Sequence, residues 1–176
     1  MKAVNAVTAS WPGLRAGRPS FASVVEAELD AVHGYLLFLT GNRSVAEDLA
    51  GETFEKAWRS WRRFDPRRGT PRAWLCRIAR RTALDHFRAE ERRQRREARY
   101  AQDGAAAEEP VLDPGALETA LARLSPAERE VVALRVLLEL DGPAAARVLG
   151  ISATACSTRL SRALKRLEEM TSDVHD

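Results

Sequence analysis

The sequence predicts an all-α protein made of two small helical domains joined by a flexible acidic linker. Three observations carry that prediction. Ala, Leu, Arg and Glu dominate a chain of 176 residues that is 45% apolar, and these side chains lose little freedom in a helix. Apolar residues recur at three- and four-residue steps, and no β-branched run alternates as a half-buried strand requires. Pro and Gly cluster in a few places, most densely in "AQDGAAAEEPVLDPGA", residues 101–116, which carries four acids, no base and no apolar face. The expected organisation is a tail over 1–20, a domain over 21–100, the linker over 101–116, a second domain over 117–170 and a tail over 171–176.

Each element follows from local chemistry. Residues 1–20 are small and polar, are broken by Pro and Gly, and lack the continuous apolar segment of a secretion signal. From Phe21 the positions Val24, Val25, Leu29, Val32, Leu36 and Leu39 keep a helical period, which Gly41-Asn42 ends. Ser44 is the expected cap of a second helix, with Glu47 and Asp48 in the first turn, where the helix dipole favours anions. Leu49, Phe54, Ala57, Trp58 and Trp61 form its apolar side. "DPRRGTP", residues 65–71, reads as a loop, and Pro71 opens the third helix. In the second domain, helices are expected near 116–123, 126–138, 143–149 and 153–170.

The third helix carries two signals. On a helical wheel Leu75, Cys76, Ile78, Ala79, Ala83 and Phe87 share one side, while Arg77, Arg80, Arg81 and Arg88 share the other. Residues 72–99 hold ten arginines against four acids, and Asp85 is the only acid before Ala89. A solvated face would pair its arginines with carboxylates one turn away. A stripe without them gains most from an anionic partner, and arginine matches phosphate bidentately. The charge distribution agrees: residues 1–100 hold 20 bases and 12 acids, whereas residues 117–176 hold 8 and 9. A polyanion partner for the first domain follows.

"GPAAARVLGISATACSTRLSRALKRL" holds the second signal. Ala146, Gly150 and Cys156 stand where a helix-turn-helix needs a small contact residue, a turn glycine and an apolar residue early in the second helix. Ser152 caps that helix, and Cys156, Leu160, Ala163, Leu164 and Leu167 are its expected buried side. In such units the first turns of the second helix enter the major groove. Thr154, Ser157, Thr158 and Arg159 are therefore candidate base readers, and Arg162 and Arg166 candidate phosphate contacts.

Taken in order, "AEDLAGETFEKAWRSWRRF", "PRAWLCRIARRTALDHFR", "LSPAEREVVALRVLLELDG" and "LGISATACSTRLSRALKRL" resemble the segments of a bacterial extracytoplasmic-function (ECF) sigma factor of the sigma-70 class. The resemblance runs from about Phe21 to Met170, the linker omitted. It implies a cytoplasmic subunit that directs core RNA polymerase to promoters. The first domain, like sigma region 2, would dock the polymerase β′ coiled coil through Asp48, Glu52, Trp58 and Arg59 and melt the −10 element. The loop residues Arg67, Arg68 and Thr70 would face a flipped base, and Arg77, Arg80, Arg81 and Arg88 the strand. The second domain, like region 4, would read the −35 element while Val136, Leu137 and Leu138 meet the β flap. Partners are then double- and single-stranded promoter DNA, core polymerase and an anti-sigma factor; no cofactor or metal is expected. Three residues depart from the family pattern: Gly51 where Gln is usual, Ala144 where Glu is usual, and Ser157 where the common pattern carries Lys.

Two rival readings frame the test. A DNA-binding regulator with the same helix-turn-helix would not engage polymerase. A metal-dependent enzyme would use Glu47, Asp48 and Glu52, but it needs a second acidic helix facing them, and residues 21–44 offer only Glu26, Glu28 and Asp30. Cys76 and Cys156 lie far apart inside helical patterns and read as buried reduced thiols, with no zinc-ligand spacing. No apolar run reaches the length of a membrane span.

Overall fold

The computed structural model describes residues 19–100, 121 and 123–172, and the described residues form helices and turns with no strand. The linker at 101–116, the tail at 1–18 and most of the helix expected near 116–123 lie outside them.

Three helices build the N-terminal lobe: α1 (Phe21–Thr40), α2 (Arg43–Ser60) and α3 (Pro71–Tyr100), with short 3₁₀ turns at Trp61–Arg63 and Pro66–Arg68 between the last two. Ser20 caps α1 by accepting from Ser23 N–H, and Gly41 ends it in the left-handed conformation at φ 64°, where a β-carbon is costly. The cap of α2 is Asn42, whose side chain accepts from Val45 N–H at 3.1 Å. Ser44 is therefore not the cap: the helix starts at Arg43, because Asn42 is already in the extended conformation that a cap needs. At α3 the Thr70 hydroxyl accepts from Ala73 N–H, and Pro71, fully buried, occupies the first helical position.

The C-terminal lobe holds α4 (Pro126–Val132), a π-helical turn (Ala133–Leu137), α5 (Gly142–Leu149) and α6 (Ala153–Ser172). Ser125 and Glu128 form a reciprocal capping box at the start of α4. The single helix expected over 126–138 is instead broken into α helix and π turn. Leu138 N–H bonds Ala133 O, Glu139 takes φ 52°, and Leu140 N–H returns to Leu134 O. That left-handed exit terminates the helix as a glycine would. Gly150 (φ 71°) makes the turn between α5 and α6, and Ser152 caps α6 by accepting from Ala155 N–H.

The lobes share one core. Val24, Tyr35, Leu36, Leu75 and Cys76 from the first join Val131, Leu134, Val148 and Leu149 from the second. Four apolar residues expected inside are not: Leu29 is 45%, Trp58 63%, Phe87 39% and Leu164 44% exposed. Their helices bury a narrower stripe than the sequence period alone implies.

Candidate nucleic-acid interface

The loop before α3 is held from beneath by aromatic packing. Trp61 and Phe64 stack with ring centres 4.8 Å apart, and Trp74 meets both at 5.6 and 5.4 Å. Such pairs contribute about 0.5–1.5 kcal/mol each beyond their buried area. Above this base, the Asp65 carboxylate accepts from Arg67 N–H and sets the 3₁₀ turn that leaves Arg67 and Arg68 exposed. Gly69 then adopts φ 151°, ψ 177°, a region essentially restricted to glycine. Thr70 is exposed, with its hydroxyl oxygen engaged as the α3 cap.

The arginine stripe divides into three kinds. Arg77 and Arg81 are exposed and, among the described residues, take part in no ion pair. Arg88 makes an exposed pair with Asp85 at 3.2 Å, an interaction worth about 0–1 kcal/mol. Arg80 is different: it donates from Nε and Nη2 to the two carboxylate oxygens of Glu130, at 2.8 and 3.2 Å, and is half-buried. The expectation of an unpartnered stripe is thus corrected at Arg80, because its acid comes from 50 residues away in the other lobe. Arg72 likewise finds Glu28 at 2.6 Å and the Leu138 carbonyl. Farther along, Arg93 and Arg95 pair with Glu90 and Glu91 one turn away. Arg68, Arg77, Arg81 and Arg88 line one groove, and Arg63 joins them. Sequence reasoning missed Arg63; its signal was its place in "WRRF", directly before the loop.

In the same lobe, α2 presents Asp48, Gly51, Glu52, Glu55, Trp58 and Arg59, all exposed. Glu52 pairs with Lys56 at 2.7 Å and Arg59 with Glu55 at 2.6 Å. The Trp58 ring rests against Phe21 at 5.2 Å while most of it faces solvent. Of the acids weighed as metal ligands, Glu47 is tied to Arg43 and Glu52 to Lys56. Among the described residues no group of three or more His, Cys, Asp or Glu could hold a metal ion.

In the C-terminal lobe α6 exposes Thr154, Ser157, Thr158 and Arg162, with Arg159 half-buried. Cys156 is 1% exposed and anchors α6 in the core. Arg166 turns back to Glu128 at 2.8 Å, which leaves it less available to DNA than its sequence position implies. The Ser125 hydroxyl and backbone N–H, with Arg166 beside them, hold the Glu128 carboxyl below its usual range. In the π turn, Val136 and Leu137 are 51% and 60% exposed, but Leu138 is only 6% exposed. Leu138 is therefore core, and the expected flap-facing apolar segment reduces to its first two residues.

These surfaces fall within two family models: Sigma-70 region 2 matches residues 24–93 and Sigma-70 region 4 matches residues 115–167. The chain belongs to the ECF sigma factors of the sigma-70 class. The ECF RNA polymerase sigma factor BldN of Streptomyces coelicolor is 32% identical over 161 residues, which cover 88% of this chain and 61% of BldN. SigK of Mycobacterium sp. strain KMS is 33% identical over 94 residues, 53% of this chain and 47% of its own. The chain thus spans between about half and three fifths of the length of these curated relatives. Among solved structures, the sigma factor RpoE in complex with the anti-sigma factor NepR from Bartonella quintana matches with TM-score 0.71 and 26% identity, over 86% of this chain and 96% of that one. CnrH, in complex with the cytosolic domain of CnrY, matches with TM-score 0.63 and 26% identity, over 87% and 88%. Region 2 of this sigma chain therefore contains the arginine groove and the α2 face, and region 4 the helix-turn-helix. No helix among the described residues is long and apolar enough to cross a membrane.

Proposed function

We propose that this chain is a promoter-specificity subunit of bacterial RNA polymerase, acting in the cytoplasm without catalysis of its own. The observation that carries the reading is the presence, in one chain and in family order, of a region 2 lobe with a cationic groove and a region 4 lobe with an exposed recognition helix. In this reading residues 21–100 dock core polymerase and melt the −10 element, and residues 117–170 read the −35 element. Arg77, Arg81 and Arg88, with Arg67, Arg68 and Thr70 in the loop, follow the single strand. Flipping a base costs a few kcal/mol of unstacking, which these contacts must offset. Thr154, Ser157, Thr158 and Arg159 read base edges, and Arg162 meets phosphates, joined by Arg166 once it leaves Glu128. Asp48, Glu52, Trp58 and Arg59 face the β′ coiled coil, and Val136 and Leu137 the β flap. An anti-sigma partner is proposed by analogy with RpoE and CnrH, whose structures hold NepR and the cytosolic domain of CnrY.

Run-off transcription with purified core polymerase on a genomic fragment library tests the reading and yields the promoter motif. Specific transcripts that require this chain are expected; their absence refutes it. Charge reversal Asp48→Arg should weaken association with core, and substitution at Thr158 and Arg159 should shift −35 preference. A regulator that does not engage polymerase would show no stoichiometric binding to core.

A further inference from the structure

Four arginines without an acid meet at one place. Arg63 and Arg68 of the 3₁₀ turns, Arg77 of α3 and Arg147 of α5 line a cleft of about 160 Å³ where the lobes adjoin. All four are exposed, and among the described residues none takes part in an ion pair or a side-chain hydrogen bond. Arg72 and Arg80 differ, for each holds a carboxylate from another element. The one acid lining the cleft is Asp65, and its carboxylate accepts from the Arg67 backbone N–H. The lining therefore sums to three positive charges. Arg147 comes close to the loop: a β-carbon on Gly69 would stand 3.6 Å from its guanidinium. Like charges gathered in this way repel unless an anion stands between them.

Size and charge select the anion. A water needs about 10–15 Å³ measured in this way, so the cleft holds roughly ten heavy atoms, about the count of a diphosphate group. A diphosphate also brings about three negative charges at neutral pH, at roughly −1.5 for each phosphoryl group, which matches the lining. A DNA strand instead spreads single charges along its backbone and cannot concentrate them in so small a volume. Guanidinium forks suit phosphoryl oxygens because they donate in pairs. The cleft adjoins the longer arginine groove of about 720 Å³, with which it shares Arg63, Arg68, Trp74 and Arg77. A nucleoside carried on the diphosphate has room there, and the half-buried Trp74 ring lines both spaces.

We propose that this cleft is a binding site for a diphosphate group, free or carried on a nucleoside, held by Arg63, Arg68 and Arg77 from region 2 and by Arg147 from region 4. Binding neutralises the cluster and ties Arg147 to the loop. It also occupies Arg68 and Arg77, two of the side chains assigned to the single strand, so a bound diphosphate competes with the strand. That competition rests on the proposed function; the site itself does not. Because ligands from both lobes are needed, the site exists only while the lobes adjoin, and affinity should depend on Arg147 as strongly as on Arg63.

The test is isothermal titration calorimetry of the full chain with sodium pyrophosphate, guanosine 5′-diphosphate and sodium phosphate, at about 0.15 M salt. The parent is compared with Arg63→Ala, Arg147→Ala and Arg92→Ala. Arg92 is the control, an exposed arginine of α3 that is unpaired among the described residues and lies outside the cleft. One diphosphate per chain is expected, with phosphate at least about tenfold weaker, and Arg63→Ala and Arg147→Ala should each weaken the diphosphate about tenfold. Arg92→Ala should change its affinity by less than about twofold, as a distant exposed charge does. Binding of pyrophosphate alone assigns the free ion as the source; binding of both assigns the group wherever it is carried. Equal affinity for phosphate overturns the diphosphate assignment. An equal loss in Arg92→Ala overturns the site, since it marks general attraction of anions to a basic lobe. A loss in Arg63→Ala without one in Arg147→Ala overturns the contribution of region 4. Should Arg147→Ala lose its helical circular dichroism, Arg147→Lys, which keeps the charge but not the planar fork, is judged by the same criteria. Saturating pyrophosphate should also weaken binding of a fluorescein-labelled single strand about tenfold, on the scale of two lost charged contacts; unchanged strand affinity overturns the competition. The calorimetry needs neither DNA nor polymerase, so failure of the transcription assay would leave the site standing.

Discussion

Replacing Arg77 and Arg81 together by Ala isolates the electrostatic contribution of the groove. Both side chains are exposed, and among the described residues neither is in an ion pair. Removing them therefore strands no buried charge, and stability should change by less than about 0.5 kcal/mol for each. They stand four residues apart, about 6 Å along the axis, so each can take its own phosphate. Charged hydrogen bonds are worth about 1.5–3 kcal/mol; at this exposure the lower figure applies, giving about 3 kcal/mol for both, or on the order of a hundredfold. Counterion release adds a sharper signature: each phosphate contact on a single strand contributes about 0.7 to the slope of log K against log salt. The double variant should lower that slope by about 1.4. The assay is a salt titration of holoenzyme against a labelled non-template strand, with core affinity measured separately and urea unfolding as a control. An unchanged slope, or an equal loss of core affinity, would refute the assignment.

The remaining predictions concern stability and reactivity. Gly51 is exposed within α2, with nothing within 4 Å of an added β-carbon; Gly51→Ala should stabilise by about 0.8–1 kcal/mol and raise Tm by roughly 2–4 °C, read by thermal melting. Burial, reinforced by Glu28, pushes the Cys76 thiol up to about 12, so at neutral pH it should resist thiol reagents until the chain unfolds, as mass spectrometry of labelled protein would record. Arg72→Ala leaves Glu28, whose side chain is 3% exposed, without its cation, and should cost about 3 kcal/mol in urea unfolding. Because Ser125 and then Arg166 depress Glu128 in the folded state, its contribution is present above the unfolded value of about 4.3 and is lost as pH falls through the folded value. The deficit of Glu128→Gln against the parent should thus be full at about pH 7 and shrink toward about pH 3.

What the sequence revealed and what it concealed divide along one physical line: the distance over which the determining interaction acts. Helix ends were readable because caps act within three or four residues, as Ser152, Gly41 and Pro71 do. The helix-turn-helix was readable because Gly150 and Cys156 act within one hairpin. Even local inference failed where two caps competed: Asn42 and Ser44 are both good acceptors, and the extended backbone at Asn42 decided between them. Fates that depend on another element were not readable. No local rule says that Glu130 serves Arg80, that Leu138 turns inward after a π turn, or that Trp58 stays out while Trp61 packs partly buried against the core.

The same line sorts the arginines by role. A wheel places Arg77, Arg80 and Arg81 on one face and treats them as equivalent. The structure gives Arg80 a carboxylate that is itself mostly buried, and among the described residues leaves Arg77 and Arg81 with none. Buried charge carries a desolvation penalty that only a fixed partner repays, so Arg80 cannot leave Glu130 unless another anion arrives or the lobes separate. Arg77 and Arg81 bear no such constraint and are available at once. An approaching strand would therefore meet the exposed arginines first, and Arg80 last. On this argument the order in which arginines become protected from solvent during promoter opening should follow their burial in the free chain.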